Sequence, residues 1–154
     1  MKLAELLSER SIRIPLQGKD KQAVIEELVD VLVRSKEILE RQPTLDAILK
    51  REELMSTGIG NGIAIPHGKS KGTRELALAF GLSLEGIDFD SLDGQPVHIC
   101  FLLVSAQNVS GPHVRALARI SRLLQHQGFR EALMDCSTPA EVLETISAEE
   151  RKHT

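Results

Sequence analysis

Residues 56–68, STGIGNGIAIPHG, place one histidine, His67, directly behind a proline and among four glycines. No other side chain in the segment offers a nitrogen lone pair that is nucleophilic near neutral pH. Gly58, Gly60, Gly62 and Gly68 tolerate positive φ and let backbone N–H groups come close to a ligand, which suits an anion and above all a phosphate. The segment is no Walker loop, because Gly-Lys-Ser at 68–70 lacks the first glycine five positions earlier, where Ile63 stands. Nor does it follow a strand and open a helix, as the dinucleotide fingerprint requires. A neutral imidazole can instead take a phosphoryl group itself, given positive charge for the equatorial oxygens. Arg51, at the end of the preceding helix, could supply that charge. Ser56 and Thr57 bring hydroxyls into the same loop as candidate phosphate-binding residues. His113 falls in the first turn of a later helix, where the dipole disfavours a charged imidazole, so a neutral ring there could hydrogen-bond a phosphate or orient His67.

On spacing alone each feature has a plainer reading. The glycines could be tight turns, Arg51 a solvated helix charge, and His113 a surface residue at a helix start. His98 reads as a half-buried strand residue, and His126 and His153 as exposed. With no HExxH and no close His–carboxylate grouping in the sequence, no metal site and no cofactor are expected.

Several elements must position these residues. Ile12, Ile14 and Leu16 alternate as a short strand that Pro15 pushes to a sheet edge. Ile25, Leu28, Val29 and Leu32 recur at helical spacing. A second helix runs through RQPTLDAILKREELM, with Leu45, Ile48 and Leu49 as its stripe and Gly58 as its stop. The glycine loop follows, with a short β-like piece over 63–65. RELALAFGLSLEGI and PVHICFLLVSA are the clearest strands, the second apolar from Ile99 to Val104 as if covered on both faces. SGPHVRALARISRLLQHQ predicts a helix with Val114, Leu117, Ala118 and Leu124 inward. GFREALMDC is a short helix, and Thr138, Pro139 and Glu141 start a last one with a capping box. SAEERKHT reads as a frayed tail. Helices outnumber strands and flank the strand pair, which predicts an α/β fold: a three-layer α/β/α sandwich on a small mixed sheet.

Bulk composition bounds the rest. A chain of 154 residues fits one domain, residues 1–154, with a core built from Leu, Ile, Val and Ala, since it has four Phe and neither Trp nor Tyr. A net charge of −3 with interspersed signs argues against a nucleic-acid surface. No apolar run approaches the roughly 18 residues of a membrane helix. Two cysteines outside any CxxC pattern, and no signal peptide, suit a reducing cytoplasm.

The loop STGIGNGIAIPHG resembles the active-site signature of the enzyme IIA domains of the fructose/mannitol family in the phosphoenolpyruvate phosphotransferase system. KREELMSTG, FDSLDGQPVHICFLLVSA and HVRALARISRLL extend the similarity over about residues 5–148. The resemblance implies a phosphotransferase in which His67 is the phosphorylated histidine, Arg51 and His113 surround the phosphoryl group, and Thr57 is a hydroxyl beside it. It implies a histidine phosphocarrier of the HPr type as donor, transfer without a metal, and reaction at the imidazole Nε2. Loop and length look most like the nitrogen-regulatory branch, whose member would act on a regulatory target protein. The alternative is a sugar-transport relay that passes phosphate to a IIB domain. Neither cysteine stands in a IIB-like phosphate-accepting loop, and the chain reads as one IIA domain, which favours regulation.

Overall fold

Strand β6 (Val97–Ser105) organises the sheet in the computed structural model, which describes residues 2–153. Its side chains alternate between two apolar layers. Ile99, Phe101 and Leu103 enter one, Cys100, Leu102 and Val104 the other, as expected of a strand covered on both faces. Strand β5 (Leu76–Ile87) pairs antiparallel along one side of β6, from Leu76 opposite Ser105 to Ile87 opposite Val97. Outside β5 lies β1 (Ile12–Arg13), parallel to it and at the edge, where Pro15 was expected to put it.

Along the other side of β6 two short parallel strands follow one another. Strand β3 (Ile63–Ala64) lies opposite Ile99 and Cys100, and β4 (His67–Lys69) opposite Leu103 to Ser105. Pro66, which has no N–H to give, falls in the gap, where its carbonyl accepts from the Leu103 N–H at 3.0 Å. Strand β2 (Gly58–Gly60) turns back antiparallel on β3 and ends the sheet.

Helices α2 (Lys21–Arg34) and α3 (Arg41–Leu54) cover one face, with Val24, Ile25, Leu28, Leu32, Leu45 and Ile48 in the layer they share with the sheet. Asp20 caps α2 by accepting from the Ala23 N–H at 2.8 Å. The other face holds α1 (Leu3–Leu6), α4 (Ser110–Leu123), α5 (Gln127–Met134) and α6 (Pro139–Lys152). Thr138 caps α6 as its sequence indicates, accepting from the Glu141 N–H at 3.2 Å. The result is the three-layer α/β/α sandwich on a mixed sheet.

Three local expectations need correction. The β-like piece expected over 63–65 is β3, but the glycine segment also holds β2 and the start of β4 where a loop was expected, and α3 ends at Leu54, ahead of Gly58. With these strands the described residues hold six strands, against six α-helices and one short 3-10 helix (Glu9–Ser11), so helices still outnumber strands. In α4 the inward stripe is His113, Ala116, Ile120 and Leu123; Val114 is 60% exposed and Ala118 also faces out. The tail is helical to Lys152, with Glu149 and Glu150 buried; its last residue, Thr154, lies outside the described residues. Glu150 ties the tail to the rest of the fold. Its carboxylate accepts from the Leu3 and Ala4 N–H groups at 2.7 and 3.1 Å and pairs with Arg119 at 2.7 Å. A carboxylate so enclosed supplies the acceptors that the first turn of α1 otherwise lacks.

Candidate active site

The hairpin β2–β3 turns through Asn61 and Gly62 with φ of 57° and 77°, the positive pair that a two-residue Asn-Gly turn requires. That dipeptide was the available signal for a hairpin, and the density of glycine obscured it. Gly68 serves a different end. A Cβ there would come within 3.1 Å of the Ile48 backbone nitrogen, so its absence lets β4 lie directly against α3. The glycines therefore set strand and helix positions, and the histidine is carried by β4 itself.

His67 opens β4, and its Nδ1 lies 2.8 Å from the Ile65 carbonyl oxygen. A carbonyl only accepts, so Nδ1 carries the proton and Nε2 keeps its lone pair. Burial holds the His67 pKa below the ordinary value, and the nearby Arg51 guanidinium lowers it further against the opposing effect of the Ile65 bond. The ring is thus neutral and nucleophilic at physiological pH.

The His113 ring lies 5.7 Å from that of His67, centroid to centroid, tilted by 60°. It is 3% exposed, and its Nδ1 meets the Ser105 hydroxyl at 2.7 Å at the end of β6. Burial first, then the neighbouring His67 and Lys69, push its pKa down to about 4. A neutral His113 that accepts the Ser105 proton at Nδ1 presents an N–H at Nε2.

Arg51, in the last turn of α3, reaches the Met55 carbonyl through Nη1 at 2.9 Å and stands close enough to act on the His67 charge. The other two hydroxyls are held by protein groups. Thr57 Oγ1 donates to Glu52 at 2.6 Å, and the Thr57 N–H donates to the same carboxylate at 2.8 Å. Ser56 Oγ donates to the Phe89 carbonyl at 2.5 Å and accepts from the Gly58 N–H at 3.0 Å. Glu52 is buried and also pairs with Lys21 at 3.1 Å. Together these bonds pin the segment between α3 and β2. The site brings His67, His113 and Arg51 together and uses Ser56 and Thr57 to fix the approach.

Sequence reasoning missed two groups. Lys69 lies two residues beyond His67 on β4, hence on the same side of the strand, and its Nζ donates to the Ser110 hydroxyl at 2.9 Å at the start of α4. Reading His-Gly-Lys as a strand would have found it. Ser105, at the end of an apolar strand, carried no local signal, since only tertiary packing sets it against His113.

Comparison with known proteins gives the family and the fold of the chain. The family model described as "Phosphoenolpyruvate-dependent sugar phosphotransferase system, EIIA 2" matches residues 5–149. A fructose-specific EIIABC component of the phosphotransferase system from Bacillus subtilis is 38% identical over 98% of this chain, which spans only 24% of that protein's length. A nitrogen regulatory protein from Bradyrhizobium diazoefficiens is 35% identical over 86% of each chain. The crystal structure of the nitrogen regulatory protein IIA-Ntr from Neisseria meningitidis superposes with a TM-score of 0.86 at 31% identity, covering 94% of this chain and 98% of that one.

Proposed function

The chain belongs to the EIIA 2 family of the phosphoenolpyruvate-dependent sugar phosphotransferase system, and we propose that it is a phosphoryl carrier whose acceptor is Nε2 of His67. The carrying observation is the Ile65 carbonyl at 2.8 Å from His67 Nδ1, which leaves Nε2 as the nucleophile. An HPr-type phosphocarrier presents phosphohistidine. The Nε2 lone pair attacks phosphorus in line, the new N–P bond forms as the donor's N–P bond breaks, and the electron pair returns to the donor ring. Ile65 C=O steadies the positive charge that the attacked ring acquires. The Nε2–H of His113 and the charges of Arg51 and Lys69 meet the equatorial oxygens, so rate comes from positioning and electrostatics rather than from a metal. Ser56 and Thr57 act by holding the segment before His67.

In its role the protein is read as a nitrogen-branch regulatory IIA, in line with the Bradyrhizobium relative and the Neisseria structure. Phosphorylation adds about −1.5 to −2 charges beside an exposed surface and thereby changes a target protein's affinity. A sugar relay to a IIB domain is the second reading, favoured by the 38% identity to the fructose-specific Bacillus protein. The cysteines of this chain take no part in either, since Cys100 is buried in β6 with its thiol pushed far up by burial, and Cys136 is buried too. Radiolabel from phosphoenolpyruvate, passed through enzyme I and an HPr-type carrier, should appear on wild type and not on His67→Ala. Labelling of His67→Ala would overturn the acceptor. Onward transfer to a fructose IIB with sugar phosphorylation in vesicles would establish the relay in place of regulation.

A further inference from the structure

Far along the chain from His67, three potential metal ligands converge where α6 ends. Glu149 lies in the last turns of α6, His153 follows that helix as its C-cap, and His126 is the N-cap of α5. One ligand atom from each lies within 4.8 Å of the other two. The rings of His126 and His153 stack at 4.5 Å and 19° beside Glu149, so each must rotate out of the stack for its in-plane lone pair to meet an ion shared with that carboxylate. Each histidine is pinned at its backbone. The His126 carbonyl accepts from the Phe129 and Arg130 N–H groups, and the His153 N–H donates to the Glu150 carbonyl at 3.2 Å. Glu149 is the buried member, 7% exposed, and one oxygen meets His153 Nε2 at 2.7 Å. The competing cation is weak: Lys152 reaches the other oxygen at 3.6 Å with 70% of its own side chain exposed.

We propose that His126, Glu149 and His153 bind a zinc-class divalent transition ion. Two imidazoles and one carboxylate suit such an ion, and leave a fourth position for water or an incoming ligand. Tetrahedral ligands at about 2.1 Å stand about 3.4 Å apart, so the two exposed rings close inward by rotations about their side-chain bonds. The ion takes the place now held by the proton between His153 Nε2 and Glu149, and the ring's proton moves to Nδ1. A cleft that Phe129, Ala132, Thr145 and Ala148 line lies beside His126 and Glu149. Bound metal ties the last turn of α6 to the turn between α4 and α5. That role is separate from phosphoryl transfer and does not depend on it.

Calorimetric titration of the full unphosphorylated chain with zinc chloride tests this. One zinc per chain is expected. His126→Ala and His153→Ala should each weaken binding by about tenfold or more, and each should keep the wild-type circular dichroism because both rings are exposed. The imidazoles of His67 and His113 are the rival zinc ligands, so the double variant His67→Ala/His113→Ala should bind zinc as wild type does. Zinc should also slow amide hydrogen exchange in the last turn of α6. No uptake by wild type would overturn the proposal, as would uptake retained by the variant lacking both His126 and His153.

Discussion

One carbonyl makes the two nitrogens of His67 unequal, and the chemistry of the site follows from that inequality. Nitrogen-edited NMR of the phosphorylated protein should place phosphorus coupling on Nε2, with Nδ1 still protonated; coupling on Nδ1 would refute the tautomer assigned from Ile65. Arg51→Lys keeps the charge and loses the planar fork, so transfer should slow by about tenfold or more while the melting temperature stays put. His113 carries a pH signature. Its folded pKa of about 4 lies below the ordinary 6.5, so the unfolded chain binds more protons between those values. Its neutral burial is therefore without cost above pH 6.5, and stability falls as the pH drops toward 4. The loss is on the order of 3 kcal/mol. Denaturant midpoints at the two ends of that range should converge in His113→Asn relative to wild type. At this scale the sequence was eloquent where a residue was unusual in its setting, as His67 was between Pro66 and Gly68. It was silent where a common residue acts through a distant partner, as Ser105 does.

Elements were legible wherever periodicity was long. The period of α2 and the apolar run of β6 each carry their own evidence, and both lie where their patterns put them. Of the shorter pieces, β1 and β3 were legible while β2 and β4 were not, because tertiary contacts decide them. Strands β2, β3 and β4 are two or three residues each and exist only as partners of β6 and of one another. Leu117 and Leu124 pack inward as expected, while Val114 and Ala118 give way to His113 and Ala116; His113, polar by type, bonds the Ser105 hydroxyl, and no hydrophobic count weighs that bond. The contact between β4 and α3 offers a direct test. Gly68→Ala forces a methyl against the Ile48 backbone, at a cost of about 1–3 kcal/mol. Because β4 bears His67 and α3 bears Arg51, the same change should also slow phosphoryl transfer. Thermal melting and single-turnover labelling would show the two effects together, and a stability loss with no change in rate would separate the packing from the site.

Across the whole molecule, the two ends of the chain are joined by one buried carboxylate. The bond from the Leu3 N–H to Glu150 spans 147 positions, which no local pattern announces. Polarity made the tail look loose, while its two glutamates were in fact the residues facing inward. Glu150→Ala strands two N–H groups and Arg119, and should cost about 3–5 kcal/mol in denaturant titration. Hydrogen exchange should then rise in both α1 and α6 while His67 still accepts phosphate; protection unchanged in α1 would mean the helix holds by its apolar contacts alone.

The central place of β6 bears on how the chain is made. A ribosome releases β3, β4 and β5 before it has synthesised the strand that all three require. Until β6 emerges, the nascent chain has no central strand to pair with and His67 has no second ring beside it. When β6 does emerge, it brings an unbroken apolar run from Ile99 to Val104, flanked by waiting partners. Sheet assembly is thus concentrated into one late moment of translation. Nascent chains stalled before Val97 should be protease-sensitive and bound by chaperones, and those extended through α4 should turn resistant.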